Sequence, residues 1–321
     1  MSKPVHKALR IGIPLLLGIS LIAFIYWNTS PSDRSLIIEN IFKANPFWVA
    51  ISLGIGLLSH LSRALRWNYL LQPIGFNVKV RNSFLIIMMA YLANLGVPRS
   101  GEFLRATALT AYEKVPFEKG FGTIVIERVI DVLMLLIIIF ITFIFQATLI
   151  GEYLNDYGIN LIMSIAILVL GITGLFITLH FIKKTKNGLF LRIKEFLNGI
   201  LEGVSSILKI QNKWPFFFHT MFIWVCYTGM FWAIKYAIPG TENLEFSQLL
   251  VAFVAGAFAM MLFPGGLGGY PVFVSAALAV FGIASTAGDA YGWLLWISQT
   301  LLIVIMGAIS FVLLPLLNQD R

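Results

Sequence analysis

A chain of 321 residues with 59% hydrophobic and 12% charged residues and a mean hydropathy of +0.87 lies far from the composition of a soluble protein. Residues 246 to 288 and 290 to 317 carry no Asp, Glu, Lys or Arg, with Asp289 the lone charge between them, whereas a membrane span needs only about 20 apolar residues. This predicts an all-α polytopic membrane protein and excludes a nucleic-acid binder, since a net charge of +8 is ordinary where basic loops face the cytoplasm; the one cysteine, Cys226, excludes an intrachain disulfide and a cysteine-based metal site.

The first predicted span, about Ile11 to Tyr26, follows Lys3, Lys7 and Arg10 and shows no small-residue cleavage pattern, so it reads as uncleaved with its amino end inside. A second runs from Pro46 to Trp67, a third from Gly120 to Phe145, a fourth from Gly158 to Ile182, a fifth from Trp214 to Tyr236 and a sixth from Ala290 to Leu316. Two further apolar stretches, 82 to 112 and 246 to 285, are interrupted by Pro98 and by the run Pro264, Gly265, Gly266, Leu267, Gly268, Gly269. A single span over 82 to 112 would push Lys183, Lys184, Lys186, Arg192 and Lys194 outside, so the positive-inside rule makes this stretch a hairpin that enters and leaves at the cytoplasmic face. On that topology 17 of the 23 Lys and Arg are cytoplasmic, Arg63 and Arg66 among them, and Arg34, Lys43 and Lys235 are external. The second stretch is read as a hairpin too, although two full spans would give the same parity. Between the fourth and fifth spans, Leu189, Ile193, Phe196, Leu197, Ile200 and Val204 recur at helical spacing, which predicts an amphipathic helix on the inner surface.

The expected fold is six full spans plus two broken re-entrant hairpins in a single integral membrane domain over 1–321. Its parts are a first span and outer loop (1–45), one repeat (46–145), a linking span with the cytoplasmic amphipathic helix (146–213) and a second repeat (214–316). Each repeat reads span, broken hairpin, span, and the two point opposite ways. Such inverted repeats with discontinuous helices suit transporters, because backbone ends exposed at mid-membrane can bind a polar substrate.

Six ionisable side chains fall at membrane depth: Arg99, Glu102, Arg105, Glu127, Arg128 and Asp131. A charge facing hydrocarbon costs about 2.5 to 3.5 kcal/mol on insertion scales, so these groups should pair or line a wet cavity. Glu102 with Arg105 and Arg128 with Asp131 stand three apart, and Glu127 with Asp131 four apart, so each pair shares a helix face. Two readings stay open. The cluster is a buried ionic network that fixes the hairpin, or its arginines present guanidinium forks to a phosphate, joined by the amide ends of the helix after Pro98. The glycines after Pro264 allow close approach of a ligand or of another helix. His60, His180 and His219 show no metal-ligand spacing, and Trp27, Trp48, Trp67 and Trp214 are expected as interface anchors.

Three segments carry a resemblance: NLGVPRSGEFLRA at 94 to 106, IERVIDVL at 126 to 133 and FPGGLGGYP at 263 to 271. In these the chain resembles the lysylphosphatidylglycerol synthase transmembrane-domain family, a flippase-like group with stand-alone members. Many relatives carry an acidic residue near the position of Pro271. The resemblance implies a domain that moves a lipid between leaflets, with Arg99, Glu102, Arg105, Glu127, Arg128, Asp131, Pro264, Gly265, Gly266 and Gly268 as the substrate-binding set. A soluble synthase domain follows the membrane domain in bifunctional relatives, and none is expected here after the last span.

The leading expectation is therefore a lipid translocator of the inner (plasma) membrane, multi-pass, with both termini cytoplasmic, no catalytic residue, no metal and no cofactor. The alternatives are an intramembrane enzyme of polyprenyl-phosphate-linked sugar metabolism and a scaffold for a separate synthase. Membrane lipid is the expected partner as substrate, nucleic acid is not one, and a separate synthase and a homo-oligomer are left open.

Overall fold

The computed structural model describes residues 16, 18–97, 99–148 and 213–319. Among these the chain is helical without strands. In order the helices are α1 (Gly18–Asn28), α2 (Pro31–Phe42), α3 (Pro46–Leu71), α4 (Val80–Gly96), α5 (Ser100–Glu113), α6 (Phe117–Phe145), α7 (Lys213–Ile234), α8 (Phe246–Leu262), α9 (Gly269–Ala279) and α10 (Ser285–Leu316). The fourth predicted span and the amphipathic helix lie outside the described residues, as does Pro98. Among the described residues, three helices are long and apolar enough to cross a membrane, at Pro46–Ile74, Lys213–Ile234 and Ser285–Leu316. The 29-residue α6 covers the third predicted span.

The chain forms two compact units, one of Met1–Ile124 with Ile210–Arg321 and one of Val125–Lys209. In the first, local chemistry sets the helix starts. Pro31 and Pro46 occupy the first helical positions, where a missing N–H costs nothing. The Ser30 hydroxyl accepts from the amide of Asp33 at 3.1 Å and Asn45 Oδ1 from that of Phe47 at 3.0 Å. Before α8, Gln248 accepts from the amide of Glu245 at 2.9 Å. A 3₁₀ turn over Gln72–Ile74, closed by Gly75 at φ 92°, ends α3.

α3 lies along α7, α4 pairs with α5, and α8 pairs with α9. Ser52, Gly56 and Ser59 put small groups on one face of α3, which lets neighbouring backbones approach as in membrane bundles. There Gln299 of α10 donates to the Ser52 carbonyl at 3.2 Å. α10 runs past both hairpins. A Cβ on Gly292 would lie 2.7 Å from the Pro271 carbonyl of α9, and one on Gly307 would lie 2.6 Å from Leu92 Cβ of α4. Only glycine permits contacts that close. Leu301, Ile305 and Val312 of α10 are exposed, an apolar face suited to lipid and not to water.

The hairpin helices are short. At about 1.5 Å per residue, the 17 residues of α4 and α8, the 14 of α5 and the 11 of α9 all fall below the ~30 Å of a hydrocarbon core. The described order thus gives long, short, short, long twice, at 26, 17, 14 and 29 residues and then 22, 17, 11 and 32.

Candidate functional site

The first hairpin turns between Gly96 and Ser100. Arg99 sits there exposed at φ 65°, a left-handed conformation uncommon outside glycine and a place where backbone strain is held. The start of α5 is tied back to α4 by side chains. The Ser100 hydroxyl donates to the carbonyls of Val97 at 2.7 Å and Ala93 at 3.1 Å, and the Gly101 amide donates to Asn94 Oδ1 at 2.7 Å. One of the amide ends that the sequence offers to an anion is thereby satisfied within the hairpin. Glu102 on the next turn is half-buried.

Arg105, one further turn along, is 4% exposed, and its guanidinium carbon lies 3.8 Å from the ring centre of Trp67 on α3. Trp67 is itself 0% exposed. Its indole N–H donates to Thr123 Oγ1 at 2.9 Å, and the Thr123 hydroxyl donates to the Gly120 carbonyl at 2.7 Å. Trp67 is therefore not the interface anchor expected from its place at the end of a span. The helix continues to Leu71, and Trp67 lies on its inner face.

The same helix carries two arginines that charge counting places in a cytoplasmic loop. Arg63 and Arg66 are 3% and 0% exposed within α3. Arg63 donates to the Tyr227 hydroxyl of α7 at 2.9 Å. Beside it, Ser62 Oγ bonds His219 Nδ1 at 2.8 Å and the His219 ring stacks on Tyr69 at 5.9 Å, so His219 is a packed side chain. A signal for this lay in the sequence. Ser59, Ser62, Arg63 and Arg66 recur at three and four residues, a polar stripe on an otherwise apolar span. Lys235, read as external, is also buried, with its ammonium 3.9 Å from the Trp232 ring centre and donating to the Leu244 carbonyl at 2.7 Å.

The second turn, Pro264 to Gly268, bends through three glycines at positive φ: 58° at Gly265, 72° at Gly266 and 70° at Gly268. Gly266 and Gly268 are buried, and the Gly265 carbonyl accepts from the Trp296 indole at 2.8 Å. A Cβ on Gly265 would stand 3.0 Å from Leu95 Cδ2, so the second turn rests against the last turn of α4. The structure therefore brings Pro264, Gly265 and Gly266 to the end of the first hairpin, close to where Arg99 starts α5. Glu127, Arg128 and Asp131 belong to the other compact unit. There Arg128 and Asp131 form an ion pair at 3.9 Å, and Glu127 is 1% exposed.

Residues 11–315 match the family model described as the lysylphosphatidylglycerol synthase TM region. Over 98 residues the chain is 30% identical to the UPF0104 membrane protein MJ1595 of Methanocaldococcus jannaschii, covering 30% of this chain and 29% of that protein. Over 130 residues it is 29% identical to the glycosyltransferase AglD of Haloferax volcanii, covering 40% of this chain and 20% of that protein. The matched segments thus span less than a third of either relative. No solved structure matches the chain.

Proposed function

Since the chain belongs to the lysylphosphatidylglycerol synthase transmembrane-region family and is a membrane protein, we propose that it is a flippase-like translocator that moves a phospholipid or lipid-linked substrate between leaflets. The observation that carries this reading is the meeting of two hairpins too short to cross a bilayer, at Leu95 and Gly265. We read the recurring long, short, short, long order as an inverted repeat with six full spans in the whole chain. Helices that end inside the membrane leave polar backbone groups where a headgroup can be handled, and two oppositely facing repeats provide two access states. Arg105 and Arg99 are the proposed substrate contacts of the first unit, with the glycine turn as their wall. The charge distribution supports a plasma-membrane protein with both termini cytoplasmic. No chemistry by the chain itself is proposed in this reading, and a separate synthase or a second copy would be its protein partners.

Leaflet exchange of a fluorescent phospholipid in vesicles holding the purified chain tests it. The expected result is exchange well above protein-free vesicles and lost in Arg105→Ala. Exchange equal to empty vesicles for phosphatidylglycerol, phosphatidylethanolamine and a polyprenyl phosphate alike would refute it. The segment shared with a glycosyltransferase favours a second reading, an intramembrane enzyme acting on polyprenyl-phosphate-linked sugars. Turnover of a polyprenyl-phosphate sugar without leaflet exchange would select that one.

A further inference from the structure

We infer that the groove between α3 and α7 seats one acyl chain of a membrane phospholipid, a bound lipid distinct from any substrate handled at the hairpins. The two helices leave between them an apolar cavity of about 430 Å³, walled by Trp48, Ile51 and Ile55 of α3 and by Val225, Gly229 and Trp232 of α7, with Phe246 at the start of α8. All of these lie in one compact unit. On the buried side of α3 the helices close on each other: a Cβ on Gly56 would stand 3.2 Å from Met230 Sδ, and the Ser52 hydroxyl donates to the Met230 carbonyl at 3.4 Å. Val225 and Phe246 are 64% and 45% exposed, so the groove opens away from the bundle.

The lining selects the occupant. Thr228 brings the one hydroxyl of the wall, and it is committed to its own helix, to the Trp224 carbonyl at 3.2 Å and the Val225 carbonyl at 3.1 Å. The wall thus offers little to a water, which needs about two to four polar partners, and as little to a headgroup. A second copy is too bulky. A helix with its side chains is about 10 to 12 Å across, so ten residues of one would fill on the order of 1,200 Å³. At about 30 Å³ for a water-sized group, the groove instead holds on the order of 14 groups the size of a methylene, which is one fatty-acyl chain. Hydrophobic burial does not drive the seating, because the chain leaves other chains. The groove is filled because left empty it forfeits dispersion contacts along both walls.

The groove has the depth of one leaflet. Trp48, Ile51 and Ile55 stand 2, 5 and 9 residues past Pro46, about 3, 8 and 14 Å along α3. That is about half of the ~30 Å hydrocarbon core, measured from the helix ends that the charge topology places outside. Aromatic rings mark the mouth. Trp48 packs on Tyr236 at 4.7 Å and Trp232 on Phe246 at 6.2 Å between ring centres, and the Lys235 ammonium, 3.9 Å from the Trp232 ring centre, fixes that wall. Tryptophan and tyrosine at this level define the headgroup boundary, so the chain runs inward from it. The Arg105 stack on Trp67 lies 19 residues further along α3 than Trp48, about 28 Å away at the other end, apart from this groove. Gly229 keeps the floor open. A Cβ there would make ordinary contact, 3.7 Å from Ile55 Cγ2, so helix packing does not require a glycine that weakens α7. What it preserves is space for the chain.

Photolabelling of the full chain in vesicles of phosphatidylglycerol and phosphatidylethanolamine, each in turn carrying a diazirine midway along one acyl chain, tests this by peptide mapping. The exposed Leu301, Ile305 and Val312 of α10 are the reference for chains that merely pass by. Residues 48–55 and 225–233 are expected to be labelled about fivefold more per residue than the reference, the equivalent of roughly 1 kcal/mol of retained dispersion contact, and equally from both headgroups. Gly229→Leu fills the floor and should bring the groove down to the reference level while α10 is unchanged. Gly229→Ala adds only a Cβ in ordinary contact, so it should fold as the parent does and fall between the two. Groove labelling no higher than that of α10 in the parent, or unaltered in both variants, would overturn the seat. Labelling that depends on the headgroup would overturn the acyl chain as the part recognised. A groove shielded from label, with a dimer mass that Gly229→Leu abolishes, would give the site to a second copy and overturn the lipid. The seat does not rest on translocation, so absence of leaflet exchange beside a labelled groove tells against the translocator alone.

Discussion

The contact that makes the first hairpin is the backbone approach of α5 to α4 at Gly101, and Gly101→Ala should damage it measurably. Gly101 is buried, and a Cβ there would collide with the Ala90 carbonyl and lie 2.8 Å from the Asn94 amide group. A carbonyl within a helix cannot give way as a flexible side chain can. Overpacking of this kind costs about 1 to 3 kcal/mol. Displacing Asn94 also weakens its 2.7 Å bond from the Gly101 amide, worth about 0.5 to 1.5 kcal/mol. Alanine returns about 0.8 to 1 kcal/mol in helix propensity. The net expectation is a loss of about 2 kcal/mol, or an apparent melting temperature lowered by about 3 °C for a chain of this size. The control is Gly54→Ala on α3, where a Cβ meets nothing within 4 Å and the propensity gain stands alone. Thermal unfolding in detergent, followed by the monodisperse fraction on gel filtration, compares the two. If Gly101→Ala melts with or above the parent while Gly54→Ala is neutral or stabilised, α4 and α5 do not approach as described.

Three other outcomes are expected. Asn82, at 0% exposure, ties the start of α4 to Glu113 at the end of α5 and, at 2.9 Å, to Asn318 beyond α10; Asn82→Leu should cost about 1 to 3 kcal/mol, because it removes both contacts, and a melting curve unchanged from the parent would show these helix ends to be independent. Gly266→Leu should lower expression and melting temperature, since the position has φ 72° and a Cβ would lie 2.6 Å from Met260 Sδ; a variant that melts normally counts against this packing. In a Cys226→Ser background, cysteines placed at Glu242 and Lys79 should react with an impermeant reagent from outside and not from outside, respectively, as the positive-inside rule requires, and labelling of position 79 in intact cells overturns the orientation.

The helical class, the order of the elements and both interruptions are legible in the sequence because they follow from the length and purity of apolar runs. The 17-residue arms of α4 and α8 end where Val97 and Phe263 precede the proline and glycine interruptions. Arg63 and Arg66 escaped because counting charges assigns every basic residue near a span end to a loop, whereas a helix can carry a buried arginine if the next helix brings a partner such as Tyr227. Trp67 escaped for a related reason. A tryptophan near a span end is an anchor when it faces lipid and a platform when it faces the bundle, and only the neighbouring helix decides which.

The glycine run shows how one pattern can hold two meanings until its neighbours are known. By sequence alone it either admits a headgroup to backbone amides or lets two helices close on each other. In this conformation the second meaning holds at Gly266 and Gly268. Their would-be Cβ atoms fall 2.6 Å from Met260 Sδ and 2.6 Å from the Gly18 carbonyl, so no headgroup fits beside them. The turn is also fastened, through the Gly265 carbonyl, to Trp296 of α10, the helix that abuts α9 at Gly292 and α4 at Gly307. Backbone contacts of that kind tie α4, α9 and the second turn to α10 as one body, since sliding would require glycine-sized gaps at new positions. α5 joins that body through a glycine of its own, since a Cβ on Gly101 would collide with the Ala90 carbonyl of α4, and its last residue, Glu113, accepts from Asn82 at the start of α4.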